Sequence, residues 1–151
     1  VAGAAQNGGV TTPQTSVTAD RPDAPCPCGT GLTYASCCGA VHDELLAGGP
    51  GATTAEALMR SRFTAFALGL TEYLLATWHP STRPADLEVD PATTWTRLRI
   101  LDRTGGGPTE ATGTVTFRAH FVHDGERGAQ SETSRFVRDD GRWVYLDGDV
   151  G

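Results

Sequence analysis

Long hydrophobic runs are missing from this chain. Nowhere in its 151 residues do about 18 apolar residues follow one another, so no segment reads as a membrane-spanning helix. Positive charge is scarce too. Twelve basic residues stand against eighteen acidic ones, a formal net charge of −6. Such a chain repels polyanions as a whole and suits nonspecific nucleic-acid binding poorly, because that binding needs clustered Lys and Arg. Nucleic acid is not an expected partner, although a small basic patch is compatible with the balance. Residues 1–25 contain no aromatic residue, leucine or isoleucine and are rich in Gly, Thr, Ala and Pro. They cannot bury enough apolar surface to offset the entropy of ordering them, and they read as a disordered tail. They also lack the basic start and apolar stretch of a secretory signal, so the cytoplasm is the expected location. Cysteine is the last scarcity. There are four, all between positions 26 and 38.

At 38% hydrophobic and 20% charged residues, the remainder describes one ordinary domain with enough length for a core. The sulfur sits in "CPCGTGLTYASCCG", a Cys-X-Cys-X8-Cys-Cys pattern at Cys26, Cys28, Cys37 and Cys38. Three chemistries compete for it. Disulfides would require a strained Cys37–Cys38 ring or very small loops, in a chain otherwise free of cysteine. Redox thiols need a cationic neighbour to lower their pKa, and no Lys, Arg or His lies between Cys26 and Cys38. Metal binding explains most: four thiolates suit one tetrahedral Zn²⁺, a closed structural site with no position for catalytic water. Pro27 stiffens the bend between the first two sulfurs. Gly29 and Gly31 permit a turn with positive φ, and Cys37 and Cys38 start or end a helical turn. His42 is a reserve ligand, expected to be exposed.

That stretch resembles the SEC-C motif, a small zinc module also found at the carboxyl terminus of the SecA preprotein translocase motor. The resemblance implies one structural zinc per chain on the four cysteines, within residues 26–40. Thr30 stands where the motif usually has serine, and Leu32 and Thr33 stand where lysines are usual. Contacts with a protein or ribosome partner through a basic face lose ground accordingly.

Beyond Gly48–Gly51, "TTAEALMRSRFTAFALG" has a helix signature: a capping box at Thr53 and Glu56, an apolar stripe of Leu58, Met59, Phe63, Phe66 and Ala67, and a Gly69 stop. Thr71 is expected to cap a second short helix ending before Pro80. The period then changes to two. "TWTRLRIL", "GTVTFRAHFV", "SETSRFVR" and "RWVYLDG" alternate as strands, separated by "RTGGGPTE", "HDGERGAQ" and the Asp140-Gly141 turn. Val115, Phe117, Ala119 and Phe121 share one face; Thr116, Arg118 and His120 share the other. Helices followed by such a meander make an α+β fold, a curved antiparallel sheet wrapped around helices. It resembles the nuclear-transport-factor-2-like cone, here spanning residues 41–151. "ALMRSRFTAFALGLTEYLLATWHPSTRP" and "SRFVRDDGRWVYLDG", together with the SEC-C motif, are similar to the YchJ family of bacterial proteins. That resemblance covers about residues 26–149 and implies fold and zinc, with no particular activity.

A cone leaves room for a pocket between helix and sheet. Arg60, Arg62, Tyr73, Trp78, His79, Trp95, His120 and Arg135 are the polar and aromatic candidates for it. His79, at a helix end, is a candidate base of an isomerase or dehydratase. Structural ion pairs are the leading expectation for Arg62 and Arg135, with an anion held by both in one pocket as the alternative. The leading reading is a zinc-stabilised protein-binding or adaptor module with a protein partner; the other is a small-molecule binder or enzyme using His79, Arg62 and Arg135. A homodimer is compatible with either.

Overall fold

The computed structural model describes residues 23–150, so the tail expected over 1–25 falls almost wholly outside the described residues. The elements are a 3-10 turn (Tyr34–Ser36), α1 (Cys38–Leu46), α2 (Ala55–Leu68), α3 (Thr71–Ala76), β1 (Thr93–Gly105), β2 (Thr112–His123), β3 (Glu126–Asp139) and β4 (Arg142–Val150). The strands pair antiparallel in sequence order, and the α+β expectation holds. β1 shifts register against β2 between Trp95 and Arg97 and again between Ile100 and Asp102; β3 and β4 shift between Arg135 and Phe136. Each irregularity adds local bend and twist, which lets the sheet curve around α2.

α2 begins one residue later than its expected box. Thr54, not Thr53, caps it, its Oγ1 accepting the Ala57 N–H at 3.0 Å. Glu56 is thereby free of capping and pairs with Arg60 (3.0 Å) and Arg103. Gly69 ends the helix at φ 74°, as its lack of a side chain allows. Thr71 opens α3 but makes no capping bond. Both hairpins after β2 turn on Asp-Gly: Asp124 and Gly125 at φ 51° and 83°, Asp140 and Gly141 at φ 55° and 81°. These left-handed pairs match strand twist. "HDGERGAQ" is therefore mostly strand, since Glu126–Gln130 pair with Ala119–His123; its polarity hides the pairing. Between β1 and β2 the backbones approach closely. A Cβ on Gly113 would lie 2.5 Å from the Gly106 Cα, so no side chain fits there.

Helix α2 is buried around most of its circumference. Leu58, Met59 and Phe63 join Val115, Phe117, Phe136 and Trp143 in one core, which also contains Cys26, Cys28, Tyr34 and Cys38. Ala65 packs into a second cluster with Leu45, Tyr73 and Leu74 beneath α1 and α3. The cysteine segment thus shares the main core. It is also tied at its start, where the Tyr34 N–H donates to the Ala24 carbonyl at 2.7 Å. Among the described residues no helix is long and apolar enough to cross a membrane.

Candidate metal centre and cone cavity

Gly29 and Gly31 both take positive φ, 86° and 88°, and fold the 26–33 loop back so that the Cys26 N–H meets the Leu32 carbonyl at 2.9 Å. The 3-10 turn then delivers Cys37 and the first residue of α1, Cys38. The four sulfurs lie within 4.8 Å of one another. Cys28 and Cys37 are 3.6 Å apart, far beyond a disulfide bond of about 2.05 Å, and all four cysteines are free. Sulfurs bound to one tetrahedral ion at about 2.3 Å stand roughly 3.8 Å from each other. The cluster fits a metal ion.

Hydroxyl groups surround it. Thr64 Oγ1, from α2, donates to Cys38 Sγ at 3.3 Å and lies 3.8 Å from Cys26 Sγ. Thr30 Oγ1 is 3.2 Å from Cys37 Sγ, so replacing the motif's serine keeps the hydroxyl. Proton affinities diverge among Cys28, Cys37 and Cys38. Hydrogen bonds from Cys26 and Cys38 push the Cys28 thiol strongly down. Burial raises Cys37 to about 11, and Cys38, bonded to Cys26 and Cys28, is raised far above its ordinary value. One thiolate is easily formed, and each further one is opposed by its neighbours. A dication removes that opposition, which is why such clusters bind metal and release protons together. Thr64→Val keeps the shape and deletes the hydroxyl. It should weaken metal binding about tenfold, read by competition with a chromophoric chelator, without altering the fold.

His42 is not the exposed reserve ligand expected from sequence. It is fully buried, because α1 continues well past Cys38 and turns its inner face onto α2. Its Nε2–H donates to the Ser61 carbonyl at 2.8 Å, and its Nδ1 accepts the Tyr34 hydroxyl at 2.7 Å. Ser61 Oγ donates to Leu58 O and accepts the Tyr73 hydroxyl at 2.6 Å. Burial lowers the His42 pKa from 6.5, so the folded protein keeps it neutral while the unfolded chain protonates near 6.5. Its contribution to stability is complete above that value and falls as pH drops below it, by up to about 1.4 kcal/mol per pH unit. Urea unfolding between pH 7.5 and 5.5 should show this slope, with imidazole ¹⁵N shifts of the folded protein titrating at lower pH than those of the unfolded chain.

On the other side of α2 a cavity of about 290 Å³ opens between the helix, Trp78 and the sheet. Its walls are aromatic: Phe63, Phe66, Trp78, Trp95, Phe117 and Tyr145. Arg62 reaches into it although only 4% exposed. Its Nη1 donates to Leu74 O (2.8 Å) and Thr77 Oγ1 (2.7 Å). The guanidinium lies 5.0 Å from the Trp78 ring centre and 4.9 Å from that of Tyr145. Burial pulls its pKa down to about 10, against the opposing pull of Tyr73, Tyr145 and Glu132, and it stays charged at neutral pH. No described carboxylate lies within ion-pairing distance of it.

Of the eight candidates, Arg62, Trp78 and Trp95 line the cavity and the others do not, so the grouping of His79, Arg62 and Arg135 is not what the structure brings together. Arg135 is on the outer surface, held by Asp147 and by Asp149 at 2.8 Å; the structural ion pair prevails over the anion site. His79 lies beyond α3 outside the cavity wall, its Nδ1 accepting the Ser81 N–H at 3.0 Å. Arg60 holds the metal loop through Cys28 O at 3.0 Å. Tyr73 is locked to Ser61. His120 is half-buried and does not line the cavity, with Nε2 enclosed and without a hydrogen-bond partner among the described residues. Sequence reasoning missed Glu132, Ser134, Gln130 and Tyr145 on the cavity wall. Residues 130, 132 and 134 share the inward parity of Phe136, a signal available in the sequence.

A cysteine cluster built into the core of an α+β cone, with an aromatic cavity across the same helix, defines the class. Residues 54–148 match the family described as YchJ, middle NTF2-like domain, and residues 24–40 match the SEC-C motif. The chain belongs to the YchJ family. It is 57% identical over 128 residues to a UPF0225 protein of Corynebacterium efficiens, covering 85% of this chain and 95% of that one. Identity to a UPF0225 protein of Streptomyces coelicolor is 52% over 128 residues, covering 85% and 97%. A SEC-C motif containing protein from Rhodopseudomonas palustris, solved in solution, superimposes with a TM-score of 0.70 at 34% identity, covering 83% of this chain and 98% of that one. A SEC-C motif containing protein from Psychrobacter arcticus, solved by crystallography, gives 0.70 at 30%, covering 85% and 83%.

Proposed function

We propose that this protein is a cytoplasmic small-molecule binder whose cone is braced by one structural zinc ion. The observation that carries the reading is the 290 Å³ cavity with a buried guanidinium on its wall. That size lies at the lower end of small-molecule sites, and an apolar lining with a few fixed polar groups is their usual make-up. Four free thiols suit zinc in a closed tetrahedral site and a reducing compartment. A closed thiolate shell makes the ion a brace. Binding is favoured over isomerase or dehydratase chemistry because His79, the candidate base, is not among the residues lining the cavity.

A fragment screen by ¹⁵N NMR on the zinc-loaded chain tests this. Small aromatic fragments should perturb residues around Phe63 and Trp95; fragments that bind elsewhere, or not at all, would overturn it. Metal analysis of protein purified under reducing conditions should find one zinc per chain. A second reading, docking of a protein partner on the metal loop, is favoured by Leu32, which stands 51% exposed where the motif usually has lysine. Leu32→Ser would abolish such docking and leave fragment binding intact.

A further inference from the structure

Resting on the cavity reading, we infer that the ligand is a small, flat, largely apolar monocarboxylate, its acid group held by Arg62 and Trp78. Both residues line the cavity with hydrogen-bond donors unused. Arg62 spends only Nη1 on protein acceptors; its Nε and Nη2 have no hydrogen-bond partner among the described residues. Trp78 Nε1 has no partner among them either; it is enclosed in this conformation and meets a ligand in the cavity by a tilt of the indole. Buried donors are nearly always paired, so an unpaired one beside a desolvated cation marks the place of a missing acceptor. The acceptor that also answers the charge is an anion, since Glu132, the carboxylate on the same wall, is engaged by Ser134 and Tyr145 and forms no ion pair with Arg62, and a desolvated cation without a direct partner is costly. A planar carboxylate matches the planar guanidinium fork.

The rest of the wall limits the ligand further. Glu132 carries the cavity's own negative charge, with Oε2 accepting from Ser134 Oγ at 2.6 Å and Tyr145 OH at 3.2 Å. Gly148 leaves room for it, since a Cβ there would overlap the carboxylate. Glu132 repels negative charge in proportion to its amount, so a phosphate of two or more charges is disfavoured and a single charge placed against Arg62 is the most this wall suits. The body of the ligand meets Phe63, Phe66, Trp95 and Phe117, which favour an aromatic or other flat apolar frame.

The test uses the full zinc-loaded chain and three probes of one shape: 2-naphthoate, 2-naphthamide and 2-naphthylmethylammonium. Of the three tryptophans, Trp143 donates its Nε1–H to Thr53 O and serves as an internal control. 2-Naphthoate should bind about tenfold tighter than the amide, moving the Trp78 indole N–H resonance downfield and leaving that of Trp143 in place. Trp78→Phe, which keeps a ring but removes the donor, should weaken naphthoate about fivefold. Equal affinity for acid and amide overturns the carboxylate and leaves the cavity reading standing. Preference for the ammonium overturns it in favour of Glu132. Tight naphthoate binding with Trp78 unmoved, or unaffected by the substitution, places the acid elsewhere and overturns it as well. No binding of any probe to folded protein overturns the cavity reading itself.

Discussion

Stripping the metal should unfold the whole domain instead of freeing one loop. Cys26, Cys28 and Cys38 are at most 5% exposed and share a core with Leu58, Phe63, Val115 and Trp143. Tyr34, fully buried between them, is hydrogen-bonded to His42 and through it to α2. Without a cation the thiols must retake protons in that core and lose the tether that closes the loop. Structural zinc contributes on the order of 10 kcal/mol in small zinc domains, comparable with the whole stability of an ordinary domain at about 5–15 kcal/mol. Chelation should therefore abolish or sharply lower the thermal transition. Hydrogen exchange should lose protection in α2 and β2 together with residues 24–46. Cys38→Ser should be more damaging than Cys37→Ser, because Cys37 is only half-buried. Loss of protection confined to the loop, with the sheet intact, would instead show a separable module.

One helix connects this brace to the cavity. Arg60 and Thr64 of α2 reach the metal loop, while Met59, Arg62, Phe63 and Phe66 of the same helix line the cavity. Anything that moves α2 changes both. Metal and ligand are then expected to strengthen each other's binding by the same factor, as linkage demands.

The sequence showed its local chemistry clearly and its long-range chemistry poorly. The cysteine pattern, the Gly69 stop, the Asp140-Gly141 turn and the alternation of Val115, Phe117 and Ala119 are set by neighbours within a few residues, and each appears in the structure. His42 was misread because its burial depends on how α1 meets α2, with Ser61 nineteen positions away. Arg62 and Arg135 carry the same Ser-Arg-Phe context, yet one faces the cavity and the other the solvent. Helix packing decides the first. Strand alternation decides the second, since Arg135 stands between the inward Ser134 and Phe136, and pairing with β4 sets it opposite Asp147. Glu132 was legible by strand parity, but a carboxylate at an inward position is ordinarily excluded from a core, and only the cavity beside it, which forms between distant segments, gives it room.

Arg62→Met should separate binding from folding more sharply than any other substitution. In a protein that used this arginine only for stability, losing two hydrogen bonds and two ring contacts would cost about 3 kcal/mol or more. Here the loss is limited, because only the Leu74 carbonyl gives up a full donor. Thr77 Oγ1 still donates to Tyr73 O at 2.8 Å and approaches Leu74 O at 3.3 Å. Methionine keeps the length of the side chain and packs its thioether between Trp78 and Tyr145. The variant also sheds a desolvated charge with no carboxylate in ion-pairing range, and replacing buried charge with apolar volume is often neutral or stabilising. The thermal midpoint should therefore hold or rise by a few degrees, corresponding to about 1 kcal/mol. Calorimetric binding of the aromatic carboxylate should fall by at least about 100-fold, because both its countercharge and its hydrogen-bond donors are gone. Arg62→Lys, with the charge kept and the fork lost, should fall between the two. A large drop in stability with naphthoate binding retained would make Arg62 a structural residue. A stable variant that no longer binds would mean that the protein tolerates a buried cation for its ligand's sake.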